Sequence, residues 1–373
     1  MSRLLIPIGS TAHPVAEIRI GDCISEMQKL EANSVHCCVT SPPYYGLRDY
    51  GVDGQIGLEE TPAEFIARLV AVFEEVRRVL RDDGTAWVNM GDSYASGGMG
   101  GGGSYMAERG DAAWQGKGNA TGWRSAPAGL KNKDLMGMPW RLAFALQDAG
   151  WYLRQDIIWN KQNPMPESVR DRCTKSHEYI FLLSKKRKYY FDQQAILETC
   201  SPNTHARLAQ DVAAQVGSER ANGGTKTNGN MKAVARKTNG VGWGHGTDKE
   251  ERKRGRVKDN DSMDSALAIM PLERNKRSVW TVPTHSFKGA HFATFPPDLI
   301  RPCILAGSPR GGIVLDPFGG ACTTGLVAMQ EGRRAILTEL NPEYAALGHQ
   351  RLLAAWRDGA AQMDILLDGS TAA

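Results

Sequence analysis

With 373 residues, 41% of them hydrophobic and 23% charged, the chain is long enough for one large α/β core carrying an insertion, or for more than one ordinary domain. It has no run near the ~18–20 apolar residues of a membrane span and no basic-then-apolar leader, so a cytoplasmic protein with no membrane contact is expected. Seven cysteines without a Cys-x-x-Cys or a zinc-spaced histidine cluster argue against a disulfide framework and a metal site, and the formal charge of +4 is only weakly basic.

Taken in order, Ile18–Asp22 reads as a short strand ending in Gly21-Asp22, followed by helical spacing of apolar residues over Ile24–Leu30. A carboxylate at a strand end can accept from a base amino group or a ribose, and Asp22 as a helix N-cap is an equal alternative. Val35–Val39 is a β-prone apolar run that stops at Thr40-Ser41-Pro42-Pro43-Tyr44. Two prolines fix φ and remove two N–H donors, so the turn is rigid and extended, with carbonyls and the Ser41 hydroxyl facing one small space. That is a preformed acceptor site for an amino group, although such a turn by itself could equally be a short polyproline ligand.

A Gly- and Tyr-rich loop with Arg48 and Asp49 follows at Gly46–Gly57. Pro62–Leu80 is an amphipathic helix with Phe65, Leu69, Val72, Phe73, Val76 and Leu80 on one face, ended by Asp82–Gly84 and followed by a strand at Thr85–Met90. Ser96–Gly129 has a glycine cluster and little periodicity, as expected of a mobile loop or lid. A helix over Met138–Ala149 and strands over Leu153–Trp159 and Glu178–Ser184, separated by polar Lys161–Thr174, continue an alternation that predicts a sheet covered by helices on both faces.

Thr199–Lys276 breaks the pattern. Between Ser201 and Trp280 there are 15 Lys and Arg against 9 Asp and Glu, while the rest of the chain has 30 against 32. The run Lys249–Arg256, with Arg252, Lys253, Arg254 and Arg256, is either a solvated face or, as an insertion between core strands, a footprint for phosphates.

Gly312–Gly325 is the second informative stretch. Ile313–Leu315 reads as a buried strand, Asp316–Ala321 as a glycine-rich turn and Thr323–Glu331 as a helix, a unit that lets a ligand approach the backbone closely. The next strand, Ala335–Thr338, ends in Glu339, placed 23 residues after Asp316 where a carboxylate can hold both ribose hydroxyls. No lysine follows the glycines, so a nucleoside without a phosphate chain is expected.

Together these stretches resemble the amino-group DNA methyltransferases that use S-adenosylmethionine, and the resemblance covers most of the chain. Thr40–Tyr44 is similar to that family's catalytic motif and Asp316-Pro317-Phe318-Gly319-Gly320 to its cofactor loop. His291–Pro296 is similar to the segment that packs over the methionine end. The catalytic motif precedes the cofactor loop, which is the order of the β group, whose core is circularly permuted. The resemblance implies a Rossmann-like α/β methyltransferase fold with a mostly parallel, doubly wound sheet. Its catalytic half would occupy residues 1–198, a basic target-recognition insertion 199–280 and a cofactor half 281–373. It places S-adenosylmethionine among Asp22, Thr40, Asp316, Pro317, Phe318, Gly319, Gly320, Thr323, Glu339 and Phe295. His177-Glu178-Tyr179 is similar to a segment lining the target-base pocket, with Trp159, Lys161 and the stretch 164–166 just before it. One departure is Cys322, where family members commonly have glycine; a negative φ is expected there.

An exocyclic amine is a poor nucleophile because its lone pair is delocalised into the ring. Acceptors aimed at its hydrogens favour tetrahedral nitrogen as the methyl is transferred, which stabilises the transition state. Ser41 Oγ and the Pro42 carbonyl are the candidate acceptors, Pro43 holds the turn, and Tyr44 is positioned to stack on a base flipped out of double-stranded DNA. In the family resembled, Ser at the head of the motif goes mostly with cytosine N4, and Asp or Asn with adenine N6. Ser41 therefore favours cytosine, with adenine as the alternative. Other readings are a methyltransferase of RNA or protein amides, and an inactive DNA-binding homologue. A cognate restriction endonuclease and a homodimer are compatible partners.

Overall fold

The computed structural model describes residues 3–6, 15–47, 51–95, 129–164, 166–200, 273–284 and 294–369. The contacts divide the chain into two units, one formed by Met1–Ile196 with Arg277–Ala373 and one by Leu197–Lys276.

Among the described residues, the first unit holds nine strands: β1 (Arg3–Ile6), β2 (Ala16–Ile20), β3 (Val35–Thr40), β4 (Leu80–Met90), β5 (Tyr152–Asn160), β6 (His177–Ser184), β9 (Val279–Thr281), β10 (Ile313–Asp316) and β11 (Arg334–Glu339). Their spatial order is β1-β2-β11-β10-β3-β4-β6-β5-β9. The run β2-β11-β10-β3-β4 is parallel throughout, β6 is antiparallel to both β4 and β5, and β1 closes one edge antiparallel to β2. The expected α/β sheet, mostly parallel and doubly wound, is what forms.

Helices α1 (Cys23–Met27), α2 (Pro62–Val79) and α3 (Met138–Asp148) contribute to one core, and α4 (Pro297–Gly307), α5 (Thr323–Gln330) and α6 (Pro342–Gly369) to the other. Phe65, Leu69, Val72, Phe73 and Val76 of α2 are fully buried, as the helical spacing predicts. A capping box starts this helix: Thr61 Oγ1 accepts from the Glu64 amide, and the Glu64 carboxylate accepts from the Thr61 amide. No described helix is long and apolar enough to cross a membrane.

The expected break at Asp82–Gly84 is absorbed into β4, which starts at Leu80. Buried Leu80 pairs with Val35, and the register shifts between Val35 and Cys37 to accommodate the extra residues. β9, at the end of the basic segment, joins the main sheet parallel to β5. Of the second unit, the described part contains β7 (Glu198–Thr199) and β8 (Glu273–Arg274), an antiparallel pair in which Glu198 faces Arg274 and also bonds Lys276. The basic residues Arg252, Lys253, Arg254 and Arg256, the stretch 96–128, Arg48 with Asp49, and 291–293 lie outside the described residues.

The sheet positions the site through the adjacency of β3 and β10. These parallel strands pair at Cys37–Val314 and Cys38–Leu315, so the turn after each leaves from the same edge. Helix α4 seats closely behind them. A Cβ at Gly307 lies 2.6 Å from Cys37 Sγ, 2.8 Å from Trp87 Nε1 and 2.9 Å from Thr85 Oγ1, so only glycine lets the helix end this near the sheet. Gly307→Ala is expected to cost about 1–3 kcal/mol through overpacking. A lower urea midpoint with an unchanged m-value checks this.

Candidate active site

The site begins with a buried carboxylate. Asp316, at the end of β10, is 2% exposed and accepts three hydrogen bonds: from Thr40 Oγ1 at 2.6 Å, from Thr324 Oγ1 at 2.6 Å and from the Phe318 amide at 3.0 Å. The Thr324 hydroxyl also lies 3.2 Å from the Val39 carbonyl. Burial raises the Asp316 pKa, and the three donors oppose that rise. Thr40 and Asp316 are thereby joined across 276 positions of sequence.

Beyond Asp316 the glycine turn is held by the neighbouring strand. The Gly319 amide donates to the Thr338 carbonyl at 2.8 Å, and Thr338 Oγ1 donates to the Pro317 carbonyl at 2.6 Å. A Cβ at Gly319 lies 3.1 Å from the Thr338 oxygen, so the turn packs backbone to backbone. Glu339 Oε2 accepts from the Gly320 amide at 2.7 Å and Oε1 from the Asn341 amide at 2.9 Å. Each oxygen keeps lone-pair capacity, so the carboxylate is oriented and able to accept from two vicinal hydroxyls. Its burial raises its pKa.

Cys322 corrects one expectation. Its φ is 57°, in the left-handed region, instead of negative. The turn demands this: Gly320 has φ 48°, the Cys322 amide donates to the Gly319 carbonyl at 2.7 Å, and Cys322 then serves as the N-cap of α5. The side chain is admitted by a glycine on α6, since a Cβ at Gly348 lies 3.1 Å from Cys322 Cβ and closer still to its sulfur. Thr323 is buried, its hydroxyl accepting from Arg351 Nη1 at 2.8 Å.

Asp22 caps α1, its Oδ1 accepting from the Ser25 amide and hydroxyl, both at 2.9 Å. It is exposed beside the same corner, since Ile20 pairs with Glu339 and the Gly21 amide donates to the Glu339 carbonyl. Phe295 is partly buried against the core cluster that includes α4.

At the end of β3, Pro42 is buried, while Ser41, Pro43 and Tyr44 are partly so. The Tyr44 hydroxyl donates to Glu178 Oε2 at 2.8 Å. Burial, followed by the nearby Glu178 charge, raises its pKa, so the phenol keeps its proton. Glu178 Oε1 pairs with Lys161 Nζ at 2.5 Å, and Asn89 Nδ2 donates to Oε2 at 3.3 Å and to the Tyr179 carbonyl at 3.1 Å. Lys161 Nζ sits 4.5 Å from the Trp159 ring centroid. Gly91 leaves the room: a Cβ there lies 2.9 Å from Tyr44 Cε2 and 3.1 Å from Glu178 Cδ.

His177 is separate from this cluster. Its Nε2 is 3.3 Å from the Tyr179 hydroxyl, and strand alternation puts both opposite Glu178. Sequence reasoning gave no individual role to Glu178, Asn89, Gly91 or Lys161. The Glu178–Lys161 pair could have been sought, because both residues carry charge at the mouths of paired strands.

Comparison with known proteins agrees with this architecture. A DNA methylase family model (N6_N4_Mtase) matches residues 35–350. The chain is 44% identical over 333 residues to the type II methyltransferase M.Cfr9I of Citrobacter freundii, covering 89% of this chain and 86% of that one. It is 43% identical over 338 residues to M.SmaI of Serratia marcescens, covering 90% of each. The solved PvuII DNA methyltransferase, described as cytosine-N4-specific, superimposes with a TM-score of 0.51 over 92% of this chain and 91% of its own, at 16% identity, which is a likeness of fold alone. The chain belongs to the N6/N4 DNA methylase family, among its type II methyltransferases.

Proposed function

We propose that this methyltransferase transfers a methyl group from S-adenosylmethionine to the N4 amino group of a cytosine flipped out of double-stranded DNA. The observation that carries the reading is the placement of the Ser41–Tyr44 turn beside the Asp316 loop, tied by the 2.6 Å Thr40–Asp316 bond. Asp316, the Pro317–Gly320 backbone and Glu339 hold the nucleoside, with Glu339 on the ribose and Asp22 and Phe295 at its flanks. Bound there, S-adenosylmethionine supplies an electrophilic methyl on a sulfonium. Ser41 Oγ and the Pro42 carbonyl accept from the amine and draw its nitrogen toward tetrahedral geometry, while the fixed turn limits the motion needed to reach attack geometry. The basic stretch around Arg252–Arg256 supplies phosphate contacts. A cognate endonuclease fits the type II relatives, a homodimer is compatible, and the cytoplasm is where such an enzyme meets DNA.

The choice of cytosine rests on Ser41. Adenine N6 is the second reading, favoured by a short stretch of 57 residues that is 51% identical to a DNA adenine methyltransferase of Escherichia coli, YhdJ. DNA amplified in vitro, incubated with enzyme and cofactor and digested to nucleosides, is expected to yield N4-methylcytosine by mass. N6-methyladenine in its place overturns the base assignment.

Ser41→Ala and Tyr44→Ala are expected to lose methyl transfer by at least about tenfold while binding S-adenosylmethionine normally, because their contacts are to the base. Equal loss of cofactor affinity, measured by calorimetry, contradicts that role. Glu339→Gln should instead weaken cofactor binding by about 10–100-fold, since an amide cannot accept at both ends from two amides and two hydroxyls.

A further inference from the structure

We propose that Glu178 is a positioning residue that aims the Tyr44 ring at the flipped base. The inference deepens the methyl-transfer reading and rests on it. Its basis is one hydrogen bond between residues 134 positions apart: the Tyr44 hydroxyl donates to Glu178 Oε2 at 2.8 Å.

A tyrosine ring held only through its Cβ swings about χ1 and turns about χ2. At Tyr44 both motions are restrained. The backbone end is fixed, because the Tyr44 carbonyl accepts from the Leu47 amide at 3.3 Å and a Cβ at Gly57 would lie 3.2 Å from the same oxygen. Glu178 fixes the hydroxyl end. The phenol oxygen lies on the χ2 axis, so this bond sets the direction of the ring and leaves its plane free. Gly91, just past the end of β4, sets the plane: a Cβ there would lie 2.9 Å from Tyr44 Cε2, so the ring edge rests on bare backbone.

The acceptor is itself immobilised. Lys161 Nζ lies over the Trp159 ring and pairs with Oε1 at 2.5 Å. Asn89, 4% exposed, donates to Oε2 at 3.3 Å and to the Tyr179 carbonyl at 3.1 Å, which holds Glu178 against β6. Two oxygens that accept from three donors require a carboxylate, and its burial strengthens the bonds made to it. A base that leaves the duplex loses its stacking partners, and the Tyr44 ring replaces them only when it faces the base. A ring free to swing holds the amine less well in line with the methyl, which slows transfer. Glu178 touches neither base nor cofactor in this scheme; it acts through Tyr44.

The test is a double-mutant cycle on single-turnover transfer of labelled methyl from S-adenosylmethionine to DNA amplified in vitro, at saturating DNA and cofactor. The variants are Tyr44→Phe, Glu178→Met and the pair. Tyr44→Phe keeps a ring to stack and removes only its tether; Glu178→Met keeps the length of the side chain and removes the acceptor. Each single variant is expected to slow transfer about five- to tenfold. The pair is expected to fall less than about twofold below the slower single variant, with cofactor affinity unchanged in all three. A bond that served stability alone would lower the urea midpoint and leave the rate of the folded enzyme intact. Tyr44→Phe leaves every charge in place, so its rate decides the matter by itself if Glu178→Met does not fold.

A native-like or faster rate for either folded single variant, multiplicative slowing in the pair, or lost cofactor binding in a folded variant each overturns the proposal. A native enzyme that transfers no methyl overturns the methyl-transfer reading and this inference with it, so the two failures are distinguishable.

Discussion

The buried carboxylate of Asp316 is the interaction on which the rest of the site depends. It joins the end of β3 to the end of β10 through Thr40, reaches α5 through Thr324 and folds the following turn back through the Phe318 amide. Burial raises its pKa, so its ionised form weighs against folding. An acid whose pKa is higher in the fold than in the unfolded chain opposes folding once pH exceeds the unfolded value, and the cost vanishes below it. A polar group kept at such a cost is placed for geometry, and here the geometry is that of two loops meeting at one edge.

Chain order is immaterial to that meeting. The turn proposed as catalytic comes early in sequence and the turn proposed to hold the cofactor late, yet β3 and β10 are neighbours because each presents apolar residues to both faces of one sheet. What a permuted chain must preserve is the parallel direction of the two strands, since reversing either would send its turn to the opposite edge. The 2.6 Å bond between Thr40 and Asp316 pins the two turns at hydrogen-bonding distance. Gly319 and Gly307 serve the same end, one allowing strand and turn to touch through their backbones, the other letting α4 close on the sheet behind.

The parts legible in sequence were those with a local signature. Proline pairs, strand-terminal carboxylates and glycine turns announce themselves within a few residues, so the turns at Ser41–Tyr44 and Asp316–Gly320 and the strand-end place of Glu339 were legible as local structure. Helix α2 was legible for the same reason, through its spacing and its Thr61–Glu64 box. Less legible were arrangements made by strands that meet only in space. Tyr44, Gly91, Lys161 and Glu178 share one cluster because β3, β4, β5 and β6 end together, which no local pattern records. Cys322 went astray in another way. A non-glycine residue predicts negative φ, but a closed turn and a glycine 26 positions later on α6 outweigh that preference.

The identity of residue 41 and the presence of Glu178 bear on one another. A carboxylate at the head of the motif is an acceptor in every orientation, so it needs no neighbour to tell it which way to face. A hydroxyl can present either its proton or its lone pairs, and only an outside acceptor fixes the choice. A serine enzyme therefore needs a second group, buried enough to be unchallenged by water and short of protons of its own. Glu178, its side chain 13% exposed and already paired with Lys161, has those properties and accepts from the tyrosine of the same motif.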